Sequence, residues 1–94
     1  MSWYVTYHPG VEDDLHRVGP AAARRILKAI SKKLVTAPLQ FGAPLSGNLS
    51  VFRKLRIGDY RVVYQVTETT VTVYVLAVGP RRDKEIYDVA AGRL

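Results

Sequence analysis

The chain contains no cysteine, an absence that removes disulfides, thiol nucleophiles and thiolate metal sites together and fits a reducing compartment. Acidic residues are scarce, 8 against 14 lysines and arginines, and there are two histidines. Long apolar runs are missing as well: the most apolar stretch, Val71 to Val78, contains Thr72 and is far too short to span a bilayer. The opening residues MSWYVTYHPG lack a cationic start followed by an apolar segment, so they do not read as a secretory signal. No repeat, linker or low-complexity tract interrupts the chain. These absences predict a soluble cytoplasmic protein with no membrane partner, cofactor or metal site.

What is present suits one folded unit spanning residues 1–94. A domain of this size buries roughly 65% of its unfolded surface. With 48% hydrophobic and 23% charged residues, a packed core is expected rather than disorder. The net charge of +6 favours acidic partners, nucleic acid first, then an anionic membrane surface or an acidic protein.

Trp3, Val5 and Tyr7 alternate with Ser2, Tyr4 and Thr6, so the chain opens with a strand. Pro9 suits a helix start, Glu12, Asp13 and Asp14 crowd its positive end, and His16 and Arg17 precede Gly19. Val11, Leu15 and Val18 form its apolar stripe. Pro20 begins a second helix to about Ala37, with Ala23, Ile26, Leu27, Ile30 and Leu34 on one side and Arg24, Arg25, Lys28 and Lys32 on the other. Pro38 to Ser50 reads as an irregular connection. Gly58-Asp59 marks a type II′ hairpin between Val51 to Ile57 and Tyr60 to Val66, and Glu68 to Thr70 turns the chain into Val71 to Val78. A short helix from Asp83 to Ala91 closes the order. The resulting class is α+β, β-α-α-β-β-β with a C-terminal helix, with helices on one face of a mainly antiparallel sheet.

If Gly58 and Asp59 form the loop, Ile57 pairs with Tyr60, Arg56 with Arg61, Leu55 with Val62 and Lys54 with Val63. Leu55, Ile57, Tyr60, Val62 and Tyr64 then face the core, while Lys54, Arg56 and Arg61 share the other face. A slip of one residue would bury the arginines, at a prohibitive cost. Like charges directly opposite each other destabilise a strand pair. The bland explanation is a solvated outer face. Against it, neither arginine has an acidic neighbour on that face of the hairpin, and Arg81 and Arg82 follow a strand that should end at the same end of the sheet. Converging guanidinium groups make a multi-donor clamp for phosphate, so Arg56 and Arg82 join the candidates for RNA binding.

The run LSGNLSVFRKLRIGDYRVVYQV, then VLAVG, then RRDKEIY, resembles the RelE/ParE superfamily of toxins from type II toxin–antitoxin pairs, closest to its RelE branch. The preceding strand-helix-helix order extends the likeness over nearly the whole chain. The resemblance implies a RelE-like fold and a metal-independent endoribonuclease that enters the ribosomal A site and cuts messenger RNA there. In that mechanism a ribose 2′-hydroxyl attacks the neighbouring phosphate, and a RelB-like antitoxin inhibits the toxin. Lys54, Arg61, Arg81 and Tyr87 occupy the places of family catalytic residues. One family lysine is Phe52 here, leaving two alternatives: Arg56 compensates, or the protein cuts more slowly or selects differently.

Attack by a 2′-hydroxyl builds negative charge on phosphoryl oxygens, which Arg61 and Arg81 are suited to meet. His8 and His16 lie away from the cluster, leaving Tyr87 or Lys54 as base and Arg81 or Lys54 as donor to the leaving oxygen. Nearby positive charge favours a phenolate and disfavours a further ammonium, which makes both residue types usable. Alternatively, Tyr87 simply packs on the sheet. The band Arg24, Arg25, Lys28 and Lys32 reads either as the wet side of a helix or, within the resemblance, as a ribosomal RNA contact. Trp3, Tyr4, Tyr7, Tyr64 and Tyr74 are expected in the core or on a sheet face, and Tyr60, on the core side, is not assigned to base stacking. Two other functions compete: a ParE-like inhibitor of DNA gyrase without ribonuclease activity, and an inactive binding module.

Overall fold

A five-stranded sheet carries the fold, and the computed structural model describes residues 2–82 and 84–94. In chain order the elements are β1 (Tyr4–Tyr7), α1 (Gly10–Val18), α2 (Pro20–Ala29), α3 (Pro38–Phe41), β2 (Ala43–Pro44), β3 (Arg53–Ile57), β4 (Tyr60–Thr67), β5 (Thr72–Pro80) and α4 (Ile86–Gly92). Across the sheet the order is β1-β5-β4-β3-β2, parallel between β1 and β5 and antiparallel elsewhere. The expected α+β class holds. The segment expected to be irregular contains α3, β2 and a short 3₁₀ turn at Gly47–Leu49. Asp83, the expected start of the last helix, lies outside the described residues.

The hairpin register matches the sequence pattern pair for pair: Ile57 with Tyr60, Arg56 with Arg61, Leu55 with Val62 and Lys54 with Val63. Gly58 supplies the positive φ, +56°, that a type II′ turn needs at its first loop position. The other sheet turn is less relaxed. Val71, expected in the strand, lies in the turn at φ +53°, a conformation disfavoured for a β-branched residue.

Helix α1 begins where the His8 Nδ1 accepts a hydrogen bond from the Gly10 N–H at 2.9 Å, so His8 is a structural acceptor. Arg24, Arg25 and Lys28 are exposed on α2, and Lys32 just beyond it, as their spacing predicts. The helix does not run on as α to Ala37, because Ile30–Leu34 forms a π turn. Ala22, Ile26, Ile30 and Leu34, each four residues apart, are all buried. Four residues overshoot one α-turn, and the wider turn brings Leu34 back over the sheet. Leu27, expected in this stripe, is instead 39% exposed.

The sheet is covered on both faces, which corrects the expectation of helices on one face only. Val11, Ile26, Ile30 and Leu34 meet Leu55, Val62, Tyr64, Val73 and Val75 in the first core. On the opposite face Phe52, Val63, Leu76 and Ala77 join Ile86 and Ala90 of α4 in a second core. A register irregularity creates part of that second surface. Val63 pairs with Ala77 while Tyr64 pairs with Val75, leaving Leu76 as an extra residue in β5. Tyr4, expected in the core or on a sheet face, is 77% exposed.

Asp14, read from sequence as a favourable charge near a helix N-terminus, is 3% exposed. Its Oδ2 accepts from the Val78 N–H at 3.0 Å and from Arg93 Nη1 at 2.7 Å, and Arg17 Nη2 reaches Oδ1 at 2.5 Å. Arg93 Nη1 also donates to the Leu76 carbonyl at 2.9 Å. Removing one partner of a buried, hydrogen-bonded pair leaves the other uncompensated. Arg93→Ala or Asp14→Ala should therefore lower stability by about 3 kcal/mol in urea melts. Arg17→Ala, which deletes a side chain 69% exposed, should cost under about 1 kcal/mol.

Gly42 marks a second close approach. A Cβ there would lie 2.7 Å from Tyr64 Cζ and 3.0 Å from the Lys54 carbonyl oxygen. The Tyr64 hydroxyl is held in place, donating to the Pro38 carbonyl at 2.6 Å. Gly42→Ala should accordingly destabilise by about 1–3 kcal/mol, read as a lower urea midpoint with unchanged slope.

Candidate active site

Arg61 emerges from β4 on the face covered by α4. Its Nη1 donates to the Tyr87 hydroxyl at 2.5 Å, and its guanidinium carbon stands 5.8 Å from the centre of that ring. Tyr87 reaches this position because Ile86 and Ala90, its neighbours on α4, are anchored in the second core. Packing of its ring and contact of its hydroxyl with a cation are therefore simultaneous.

Lys54 lies one strand away on the same face, paired with Val63. With Tyr87 it lines a cleft of about 290 Å³ whose other wall is Pro44, Leu45, Ser46 and Leu49. The connection from β2 through the 3₁₀ turn thus shapes one side of the candidate site. Arg53 holds the segment that leads into β2: its Nη2 donates to the Leu39 and Gly42 carbonyls at 2.9 and 2.7 Å. Burial raises the neighbouring Tyr64 phenol above its ordinary 10.0, with Arg53 and the Gly42 backbone acting in the opposite direction.

Phe52 is 3% exposed within the second core. Phe52 is therefore an anchor for the surface beneath α4, not a charge. Arg56, opposite Arg61, is exposed.

Arg81 and Arg82 are exposed beyond the end of β5 and line a different cleft, of about 540 Å³, with Asp59, Tyr60 and Pro80. The Arg81 N–H donates to the Asp59 carbonyl at 2.7 Å, tying this segment to the hairpin turn. The cleft adjoins Arg61 through the sheet, since Arg61 pairs with Gly79 and Tyr60 with Pro80. Tyr60 lies on the core side, as the hairpin pattern predicts. It packs against the first core yet remains half-buried, with the Arg25 guanidinium carbon 6.0 Å above its ring centre. Arg25 thus meets the cleft wall, while Arg24 and Lys28 on α2 and Lys32 in the π turn after it remain exposed. Sequence reasoning missed Asp14 and Arg93 as structural partners, and the unassigned Pro80 as a wall of this cleft.

Among the described residues, no three of His, Asp and Glu gather as a metal site, and no helix is long and apolar enough to cross a membrane. The arrangement sets Arg61 on the Tyr87 hydroxyl, Lys54 in the same cleft as Tyr87, and Arg81 and Arg82 in a neighbouring cleft, groups of a kind that bind phosphodiesters.

The chain is similar to known proteins in sequence and in fold. A model of the ParE toxin of type II toxin–antitoxin systems matches residues 5–85. The chain is 26% identical over 95 aligned residues to the mRNA interferase toxin RelE of Escherichia coli K12, covering 100% of this chain and 99% of that one. It is 29% identical over 83 residues to toxin RelG of Mycobacterium tuberculosis, covering 88% and 95%. Among solved structures, the toxin–antitoxin complex RelBE2 from Mycobacterium tuberculosis contains a chain with a TM-score of 0.81 and 27% identity, covering 86% of this chain and 100% of that one. A mutant of the E. coli toxin RelE in the free state gives 0.80 at 23% identity, covering 100% and 99%, a likeness of fold. Sequence family and fold converge: the chain belongs to the RelE/ParE superfamily of type II toxin–antitoxin toxins.

Proposed function

We propose that this toxin is an endoribonuclease that cuts messenger RNA in the ribosomal A site, with Arg61 and Tyr87 at the reacting phosphate. The Arg61–Tyr87 contact carries the reading, because it couples a phosphate-binding cation to an oxygen able to accept a proton. Tyr87, acting in its deprotonated form, takes the 2′-hydroxyl proton on Oη as the 2′-oxygen forms its bond to phosphorus. The phosphorus–5′-oxygen bond breaks, Lys54 protonates the departing oxygen, and a 2′,3′-cyclic phosphate and a 5′-hydroxyl remain. Arg61 meets the charge growing on the phosphoryl oxygens, while Arg56 helps position the backbone. Arg81 and Arg82 hold phosphate at the adjoining cleft. The cycle requires no metal or other cofactor.

The exposed row Arg24, Arg25, Lys28 and Lys32 supports contact with ribosomal RNA. A RelB-like antitoxin completes the proposed partner set and silences the toxin in the cytoplasm. The solved RelBE2 relative, itself a toxin–antitoxin complex, supports this assignment, as does the net charge of +6. The match to the ParE model supports one competing function, inhibition of DNA gyrase without RNA cleavage.

Purified toxin added to a translating ribosome complex should cut the messenger, with the ends mapped by primer extension. Arg61→Ala and Tyr87→Phe should each slow cleavage by about a hundredfold or more while leaving the fold intact. Intact messenger accompanied by blocked DNA supercoiling would select the gyrase function, and inactivity in both assays would select a binding module.

Toxin affinity for ribosomes should fall steeply with salt, because phosphate contacts release counterions. Replacing Arg24 and Lys28 by alanine should flatten a plot of log affinity against log salt by roughly one unit per lost contact. An unchanged slope would remove α2 from the RNA interface.

A further inference from the structure

The cleft at the Gly58–Asp59 end of the sheet has a composition that phosphate binding alone does not explain. Arg81 and Arg82 supply charge, but Tyr60 and Pro80 supply a side-by-side apolar wall, paired directly across β4 and β5. Asp59 lines the same cleft. A carboxylate repels a second phosphate, whereas it can accept hydrogen bonds from the amino groups of a base edge. Tyr60 also carries the Arg25 guanidinium 6.0 Å over its ring centre, so an aromatic and a planar cation already meet at this wall. Such groups bind single-stranded nucleic acid by stacking on bases while cations follow the backbone.

We propose that Tyr60 and Pro80 form a nucleobase subsite, with Arg81 and Arg82 on its flanking phosphates, for a nucleotide next to the one cut at Arg61 and Tyr87. The inference rests on the nuclease function proposed above and extends it to substrate positioning. It gives the RNA a path across the sheet end: Arg61 lies on the face covered by α4, Tyr60 packs toward the face covered by α1 and α2, and the two are consecutive in β4. A strand held at both points is bent around the sheet end, which separates neighbouring bases and exposes the phosphate between them.

The test uses the full chain and a fluorescent oligoribonucleotide of about ten residues, carrying a single 2′-deoxy sugar at the cleavage step so that it is bound without being cut. Abasic sugars are then introduced one position at a time. At one position adjoining that step, loss of the base should weaken binding to the wild-type protein about tenfold. Tyr60→Leu should weaken the intact oligomer by a similar factor and abolish the sensitivity at that position, while Tyr60→Phe retains both. A second measurement needs no variant: 5-iodouridine at the same position should photocrosslink to Tyr60 in the wild-type chain. Equal abasic sensitivity in the wild type and Tyr60→Leu, or crosslinks confined to other residues, would overturn the subsite. Failure of the wild-type chain to bind the oligomer more tightly than Tyr60→Leu does would overturn it as well. Tyr60-dependent base recognition with no messenger cleavage on ribosomes would instead retain the subsite and remove the nuclease function.

Discussion

The buried carboxylate of Asp14 is the constraint on which the arrangement of this toxin depends. Strand β1 ends at Tyr7, and its last bond to β5 runs from the His8 N–H to the Val75 carbonyl. Beyond that point the inner edge of β5 would present unpaired backbone groups. Asp14 accepts from the Val78 N–H, and Arg93 donates to both Asp14 and the Leu76 carbonyl. Two side chains thereby replace the missing strand. The same contacts bind α1 to β5 and bring the segment after α4 back onto the sheet. The ion pair matters because it satisfies the backbone as well as itself; isolated pairing of two buried charges often repays little more than their desolvation.

The extra residue Leu76 links this edge to the candidate active site. Within one strand it presents a carbonyl to Arg93 and a side chain to the second core. Leu76 and Ala77 together widen the apolar surface under α4, and Phe52 and Val63 extend it toward β3. Tyr87 projects from the helix seated on that surface. The Arg61–Tyr87 contact thus depends on apolar burial several residues away, and charge at the site is positioned by packing. This accounts for Phe52: charge at that place would enter the surface holding the helix, and an unpaired buried lysine is costly.

Much of this was legible in the residues. The GDYRVVYQV run determines a two-residue turn, the alternation around it determines the faces, and the penalty for burying Arg61 selects the register. The location of α4 was not legible, because a short helix with two buried residues, Ile86 and Ala90, does not announce which sheet face it covers. The missed signal was Phe52 and Val63 on the nominally wet face of the hairpin, apolar residues that need a cover. Asp14 was misread for a related reason. Near a helix start, a solvated acid and a buried acid have the same one-residue signature, and only a partner 79 residues away distinguishes them.

The opposed arginines in the hairpin take on a different meaning in this light. Arg56 and Arg61 are direct cross-strand neighbours, an arrangement that is unfavourable for two unpartnered cations. They are not equivalent, because α4 covers one of them. Arg61 has the Tyr87 oxygen to donate to and an aromatic face nearby, while Arg56 remains exposed to water, where high dielectric and salt weaken the repulsion. Under the proposed function, a phosphate arriving at Arg61 would find its donor already oriented by Tyr87, with Arg56 as a second cation beside it. The tyrosine contact that makes the charge pair tolerable in the free protein is, on that proposal, also what prepares it to receive RNA.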